Sequence, residues 1–139
     1  MNIIGNGVDI VKNSRIRESI KNNQFLKRIY TNKEILLSKR KKDKTSYFAK
    51  RFAAKEALSK ALGTGFRNNL NFKDVSIVND RYGKPKIIIT KKLSNIINKI
   101  YNSRKINIFL SLSDEKNYSI AFVIIEKKWI LIKIFLLKI

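Results

Sequence analysis

The stretch YFAKRFAAKEALSKALGTG, Tyr47 to Gly65, decides how the rest of this chain is read. It is rich in Ala, Leu and Lys, which are strong helix formers, and it predicts a helix of about four and a half turns. Gly63 stands where a left-handed C-cap would end it. At about 100° per residue, Ala53, Ala54, Ala57, Leu58, Ala61 and Leu62 fall on one arc, small enough for another element to approach closely. Arg51, Lys55, Glu56, Ser59 and Lys60 gather on the opposite arc, with Phe48 and Phe52 among them. Two readings of that second arc stand side by side. Glu56 and Lys60 form an i, i+4 pair in the favourable order, worth a few tenths of a kcal/mol (about 0.3) on a solvated face. An aromatic and cationic face around a single carboxylate also suits an anionic ligand with an apolar part.

Composition narrows the chemistry. A chain of 139 residues is most simply one domain with a modest core. It has no cysteine and no histidine, so disulfides, thiolate metal sites and imidazole catalysis are excluded. Catalysis must therefore use carboxylates, Lys, Arg, Tyr, Ser, backbone dipoles or a hard metal held by oxygens. Thirty-one Lys and Arg against 10 Asp and Glu leave a formal charge of +21. Such a field recruits polyanions: nucleic acid, an anionic membrane or an acidic protein. Ile, Lys and Asn are used heavily throughout, so charge alone selects no partner.

The chain opens on a strand, Ile3 to Val11, in which Gly5 and Gly7 permit close backbone approach. No basic segment followed by an apolar run marks a secretory leader. Asp9 is a carboxylate amid apolar strand residues. It is either a turn or cap residue before Lys12-Asn-Ser, or a metal ligand, since a carboxylate there needs a cation or donors around it. A short basic helix over Asn13–Asn23 carries Arg15, Arg17 and Lys21, and a second basic turn, Gln24–Ile29, carries Phe25, Lys27 and Arg28. Thr31 with Glu34 three residues on is a capping box opening a helix to about Lys39. Lys39 to Lys44 reads as a solvated loop. Beyond Gly65 the pattern predicts a loop, a hairpin of Asp74–Val78 and Lys86–Thr90, an amphipathic helix over Lys91–Asn102, and a second hairpin of Ile106–Leu112 and Tyr118–Glu126.

Several of these segments together resemble the bacterial holo-[acyl-carrier-protein] synthases, the small 4′-phosphopantetheinyl transferases. They are FAKRFAAKEALSKALGTG, GVDIV at Gly7–Val11, Tyr30-Thr31 before Glu34, YGKPKI at Tyr82–Ile87, and SLSDEKNYSIAFVIIE at Ser111–Glu126. The resemblance runs from about Ile3 to Glu126. It implies an α+β fold, a small antiparallel sheet packed by helices, in a homotrimer with coenzyme A bound between subunits. The implied activity moves the 4′-phosphopantetheine of coenzyme A onto a serine of apo acyl carrier protein, releasing adenosine 3′,5′-bisphosphate, in support of cytoplasmic fatty acid biosynthesis. Asp9 aligns with the family's magnesium-binding aspartate, so Asp9 and Glu56 are the expected Mg²⁺ ligands, with Glu56 and Lys60 the catalytic residues. Arg51, Lys55, Phe52, the loop Gly63-Thr64-Gly65, Lys84 and Pro85 are the expected coenzyme A contacts. Arg15, Lys21, Phe25, Lys27 and Arg28 are the expected carrier-docking residues. The general base stays open between Glu56 and a water on the metal. Phe109 departs from the pattern, because many relatives carry a histidine there.

The transferase domain is expected to end near Glu126. The segment from Lys127 to Ile139 is apolar and basic, and falls short of the roughly 20 residues a spanning helix needs. An added strand, an interfacial segment and a subunit contact all fit it. Two other functions explain part of the pattern: a basic nucleic-acid binder, and an interaction protein that kept the fold without catalysis.

Overall fold

The computed structural model describes residues 2–66, 69–103 and 105–128. The segment 129–139, most of the apolar tail, lies outside the described residues. Strand β1 (Ile3–Lys12) leads into helices α1 (Asn13–Ser19), α2 (Asn23–Ile29), α3 (Asn32–Ser38) and α4 (Lys44–Leu62). A single 3₁₀ turn, Phe72–Asp74, then precedes hairpin β2 (Ser76–Asn79) and β3 (Pro85–Ile88), helix α5 (Lys91–Tyr101), and hairpin β4 (Ile106–Asp114) and β5 (Tyr118–Lys127). One antiparallel sheet has the order β1-β5-β4, and β2 and β3 form a second. The fold is α+β, as the resemblance implies.

Local signals account for most element ends. The Thr31 hydroxyl accepts from the Glu34 N–H at 3.2 Å and the Glu34 carboxylate accepts from the Thr31 N–H at 2.8 Å, a complete capping box. Asp43 caps α4 through the Ser46 N–H, and Gly63 closes it at φ 73°. The basic helix predicted over Asn13–Asn23 ends at Ser19, and the basic turn predicted over Gln24–Ile29 is α2, started at Asn23 by the Asn22 side chain, which accepts from the Gln24 and Phe25 N–H groups. Pro85 is the first residue of β3 rather than part of the turn, a position that needs no ladder donor.

Helix α4 is buried on nearly every side, so its two-faced reading needs correction. The small arc packs against the inner face of the β1-β5-β4 sheet, with Ala53, Ala54, Ala57 and Leu58 fully covered. Yet Phe48, Arg51, Lys55 and Ser59, on the expected ligand face, are buried as well. The strand comes so close to the helix that a Cβ at Gly7 would overlap the Ala57 carbonyl and lie 2.6 Å from the Ala61 nitrogen. A Cβ at Gly5 would overlap the Ala61 carbonyl. The same alternation that turns Gly5 and Gly7 to the helix turns Asp9 and Val11 to it.

The other face of the sheet is apolar and open. Val8 pairs with Phe122, Ile10 with Ile120 and Phe109 with Ile124, and Ile10 is 62% exposed. Tyr118 lies at the end of the same row. Among the described residues, no helix is long and apolar enough to cross a membrane.

Candidate functional site

Asp9, Glu56 and Lys60 come together where β1 passes α4. The Asp9 side chain is 15% exposed, and its Oδ1 accepts from Lys60 Nζ at 2.9 Å. Lys60 also donates to the Val8 carbonyl at 3.0 Å. The lysine therefore crosses to the strand instead of pairing with Glu56 along its own helix. Glu56 is half-buried, and burial first, then the neighbouring Asp9 charge, push its carboxyl above the ordinary glutamate range. Lys60 and Arg15 pull it the other way, which places the first basic helix beside the cluster. The Asp9 and Glu56 carboxylates, with a backbone carbonyl alongside, form an all-oxygen donor set. Mg²⁺ suits such a set, since it takes one or two carboxylates and fills its other positions from water and phosphate. No cluster of three or more carboxylates occurs among the described residues.

A second site lies at the other end of α4. A cavity of 370 Å³ is walled by Lys41, Lys42, Lys50 and Arg51, four cations against the one carboxylate of Asp43, with Tyr47 and Leu112 among its other walls. Arg51 is 4% exposed, and its guanidinium lies 3.6 Å over the Tyr47 ring. It donates to the Asn79 side-chain oxygen at 2.9 Å and the Tyr47 carbonyl at 3.3 Å, leaving its Nε–H without a partner. Clustered cations beside apolar walls suit an anionic ligand with an apolar part. Pro85 and Gly83 line the cavity, and Lys84 is exposed next to them. Arg51 and Glu56 are five residues apart, about 140° around the helix, so the two sites face different ways within one chain.

Asp114 braces this cavity. It accepts from Lys50 Nζ at 2.8 Å and from the Ser46 hydroxyl at 2.5 Å, and these bonds, Lys50 first, hold its carboxyl below the usual range. A depressed folded pKa stabilises the native state above the ordinary aspartate value of about 3.9 and loses that contribution as pH falls through the folded value. The unfolding free energy of Asp114→Asn from urea titration should therefore fall below wild type at neutral pH, by about 1 kcal/mol for this partly exposed pair, and converge with it toward pH 2. A constant gap over that range would assign the pair no electrostatic role.

Three expected coenzyme A contacts lie elsewhere. Lys55 is wholly buried, and its ammonium is committed to the Ile29 carbonyl, Glu34 and the Phe72 carbonyl, leaving no donor for a phosphate. Phe52 stacks on Phe25 at 6.5 Å and on Phe72 at 5.7 Å, within an aromatic cluster packed against the core. The Gly63-Thr64-Gly65 loop follows the C-terminus of α4, the negative end of its dipole, and the Gly63 N–H is bound to the Lys60 carbonyl. Of the docking residues, Arg15, Lys27 and Arg28 are exposed cations, Lys21 is paired with Glu18 at 2.9 Å, and Phe25 is half-buried. Sequence reasoning missed Lys41, Lys42, Lys50 and Asn79 as cavity walls. The run at 39–44 looks like any solvated loop until β2 and β3 stand opposite it.

Comparison with known proteins identifies the family. The family model of the 4′-phosphopantetheinyl transferase superfamily matches residues 5–123, and the chain belongs to that superfamily. A holo-[acyl-carrier-protein] synthase of Pelagibacter ubique is 55% identical over 128 residues, covering 92% of this chain and all of the relative. The crystal structure of the Neisseria meningitidis synthase superposes with a TM-score of 0.80 at 40% identity, over 90% of this chain and 99% of that one. The Helicobacter pylori synthase, solved in complex with coenzyme A, superposes with a TM-score of 0.74 at 33% identity, over 87% of this chain and 99% of that one.

Proposed function

We propose that this protein is a holo-[acyl-carrier-protein] synthase, transferring the 4′-phosphopantetheine of coenzyme A to a serine of apo acyl carrier protein. The observation that carries the reading is the Asp9–Glu56–Lys60 cluster on a chain related to such synthases over nine-tenths of its length. The carrier's serine oxygen attacks the phosphorus that bears the pantetheine. The bond from that phosphorus to the bridging oxygen of the diphosphate breaks, and adenosine 3′,5′-bisphosphate leaves. Asp9 and Glu56 would hold Mg²⁺, which when bound neutralises charge on the diphosphate. Lys60 orients Asp9 and adds positive charge where phosphoryl charge develops. Arg51, Lys41, Lys42 and Lys50 provide the cationic cavity for the nucleotide end of coenzyme A, with Pro85 on its wall.

The two sites face apart on one chain, and the open apolar face of the β1-β5-β4 sheet offers a contact between copies. Both support a homotrimer in which the cavity of one copy adjoins the carboxylate cluster of the next, with residues 1–126 acting as one transferase domain. Light scattering on active enzyme should give three times 16.2 kDa, and a monomeric mass would remove the shared site. The function itself is tested by mass spectrometry of apo carrier incubated with protein, coenzyme A and Mg²⁺. A carrier mass increased by one phosphopantetheine supports it; an unmodified carrier at micromolar enzyme refutes it.

The exposed cations of α1 and α2 would steer an acidic carrier. Such contacts fade with salt, since the Debye length is about 8 Å at physiological ionic strength. The double substitution Arg15→Glu, Arg28→Glu should raise the carrier KM about tenfold at low salt, and less at high salt, while leaving the coenzyme A KM nearly unchanged. A wild-type carrier KM at low salt would end the docking assignment.

A further inference from the structure

Lys55 is a fully buried cation that touches neither the carboxylate cluster nor the cationic cavity, and the three groups it holds belong to three different elements. Its ammonium donates to the Ile29 carbonyl at the end of α2 at 2.8 Å, to the Glu34 carboxylate of α3 at 2.8 Å, and to the Phe72 carbonyl of the 3₁₀ turn at 3.1 Å. Glu34, equally buried, accepts in addition from the Thr31 N–H at 2.8 Å and from the Ile77 N–H of β2 at 2.9 Å. Beyond the contact between the two charges, the pair thus holds four backbone groups, two carbonyls through Lys55 and two N–H groups through Glu34. Two tyrosines add to the tie: the Tyr47 hydroxyl donates to the Glu34 carbonyl at 2.8 Å, and the Tyr30 hydroxyl to the Phe48 carbonyl at 3.0 Å.

A buried ion pair is a poor way to gain stability, because well-packed apolar side chains of similar volume often do as well or better. What apolar side chains cannot do is fix the direction of three separate backbone segments. The position of this pair gives that property a use. Lys55 precedes Glu56 on α4, and Ile29 follows Arg28 on α2. One ammonium therefore joins the end of the helix that carries Phe25, Lys27 and Arg28 to the helical turn that carries Glu56. The walls it draws together, Ile29 and Phe72, also line a cavity of 520 Å³ that opens beside Arg28 and Lys73.

The geometry points to Lys55 and Glu34 as a positioning pair that holds α2 in register with Glu56, so that a carrier docked on α2 presents its serine to the carboxylate cluster. This rests on the proposed transferase function. The pair acts through backbone and touches no reacting atom, so its loss should fall on the carrier half of the reaction. Coenzyme A, held by Arg51 and the lysines around it, should be indifferent. A pair that merely stabilised the fold would lower the melting temperature without separating the two substrates.

The test uses the full chain with the double substitution Glu34→Gln, Lys55→Met, which leaves no uncompensated buried charge. Kinetics with apo carrier, coenzyme A and Mg²⁺ should show kcat/KM for the carrier lowered about 10- to 100-fold, the scale of a misplacement near 1 Å. Calorimetry should give a coenzyme A affinity equal to wild type. Lys55→Met alone removes all three ties while the Glu34 carboxylate keeps its Thr31 and Ile77 N–H donors, so it is the second variant if the double one does not fold. It should show the same split between the two substrates. A carrier kcat/KM equal to wild type in a folded variant overturns the positioning role, and so does a matching loss of coenzyme A affinity. Wild type assayed in parallel separates the two levels: an inactive wild type removes the transferase reading itself, whereas an active one beside an unaffected variant removes only the role of the pair.

Discussion

Asp9→Ala and Glu56→Ala should each give a folded protein whose turnover is lowered about 100- to 1000-fold, the scale of removing one group that stabilises transition-state charge. The two carboxylates face each other across the β1–α4 contact, and neither has a substitute among the described residues. Stability should move differently from activity. Because burial and the Asp9 charge hold the Glu56 pKa above its unfolded value, the ionised side chain costs the native state stability at neutral pH. Glu56→Ala should therefore melt at or above the wild-type temperature while losing turnover. Asp9→Ala should melt slightly lower, since Lys60 loses its partner in an ion pair whose lysine is 55% exposed. Turnover of wild type should vanish in EDTA and return with added Mg²⁺. Full activity in EDTA, or in either variant, would mean that the cluster is not the metal site.

Gly7→Ala should cost the fold about 3 kcal/mol, the upper end of the range for overpacking a core, because the added methyl meets backbone and not a movable side chain. The Ala57 carbonyl and Ala61 nitrogen cannot yield without parting β1 from α4, and that contact also sets Asp9 against Lys60. Thermal melts and urea titration should show a large loss, with activity falling in whatever fraction stays folded. A melting temperature equal to wild type would mean that the strand and helix are less tightly apposed than described. Gly5, which meets the Ala61 carbonyl in the same way, provides an independent repeat of the experiment.

Elements whose ends are set by neighbours in sequence were legible from the chain alone. Thr31 and Glu34 make the expected capping box, Gly63 closes α4, and both hairpins lie within a few residues of where alternation puts them. The end of α1 at Ser19 was not, because the Asn22 that caps α2 looks like an asparagine within a helix until its side chain selects the Gln24 and Phe25 N–H groups.

At the site, the difference is between residue type and residue environment. The sequence alone determined that catalysis has no thiol or imidazole, that two hairpins follow the main helix, and that Asp9 is a carboxylate where a strand should be apolar. It also determined that glycines at positions 5 and 7 leave room for close approach. These follow from composition, spacing and the stereochemistry of single residues. Only the tertiary structure decided which cations of α4 are free. Arg51, Lys55 and Lys60 all lie on the polar arc of a helical projection, spread over about 180° of it, yet Lys55 is locked in a buried pair, Lys60 reaches across to Asp9 and Arg51 lines a cavity. Helical spacing gives the direction of a side chain from its axis, but not what stands there. Where α4 is covered on nearly all sides, the partner that arrives from α3, β1 or β2 sets the role of each charge. Those partners are 21 residues away for Lys55, 51 for Lys60 and 28 for Arg51, beyond the reach of any local pattern.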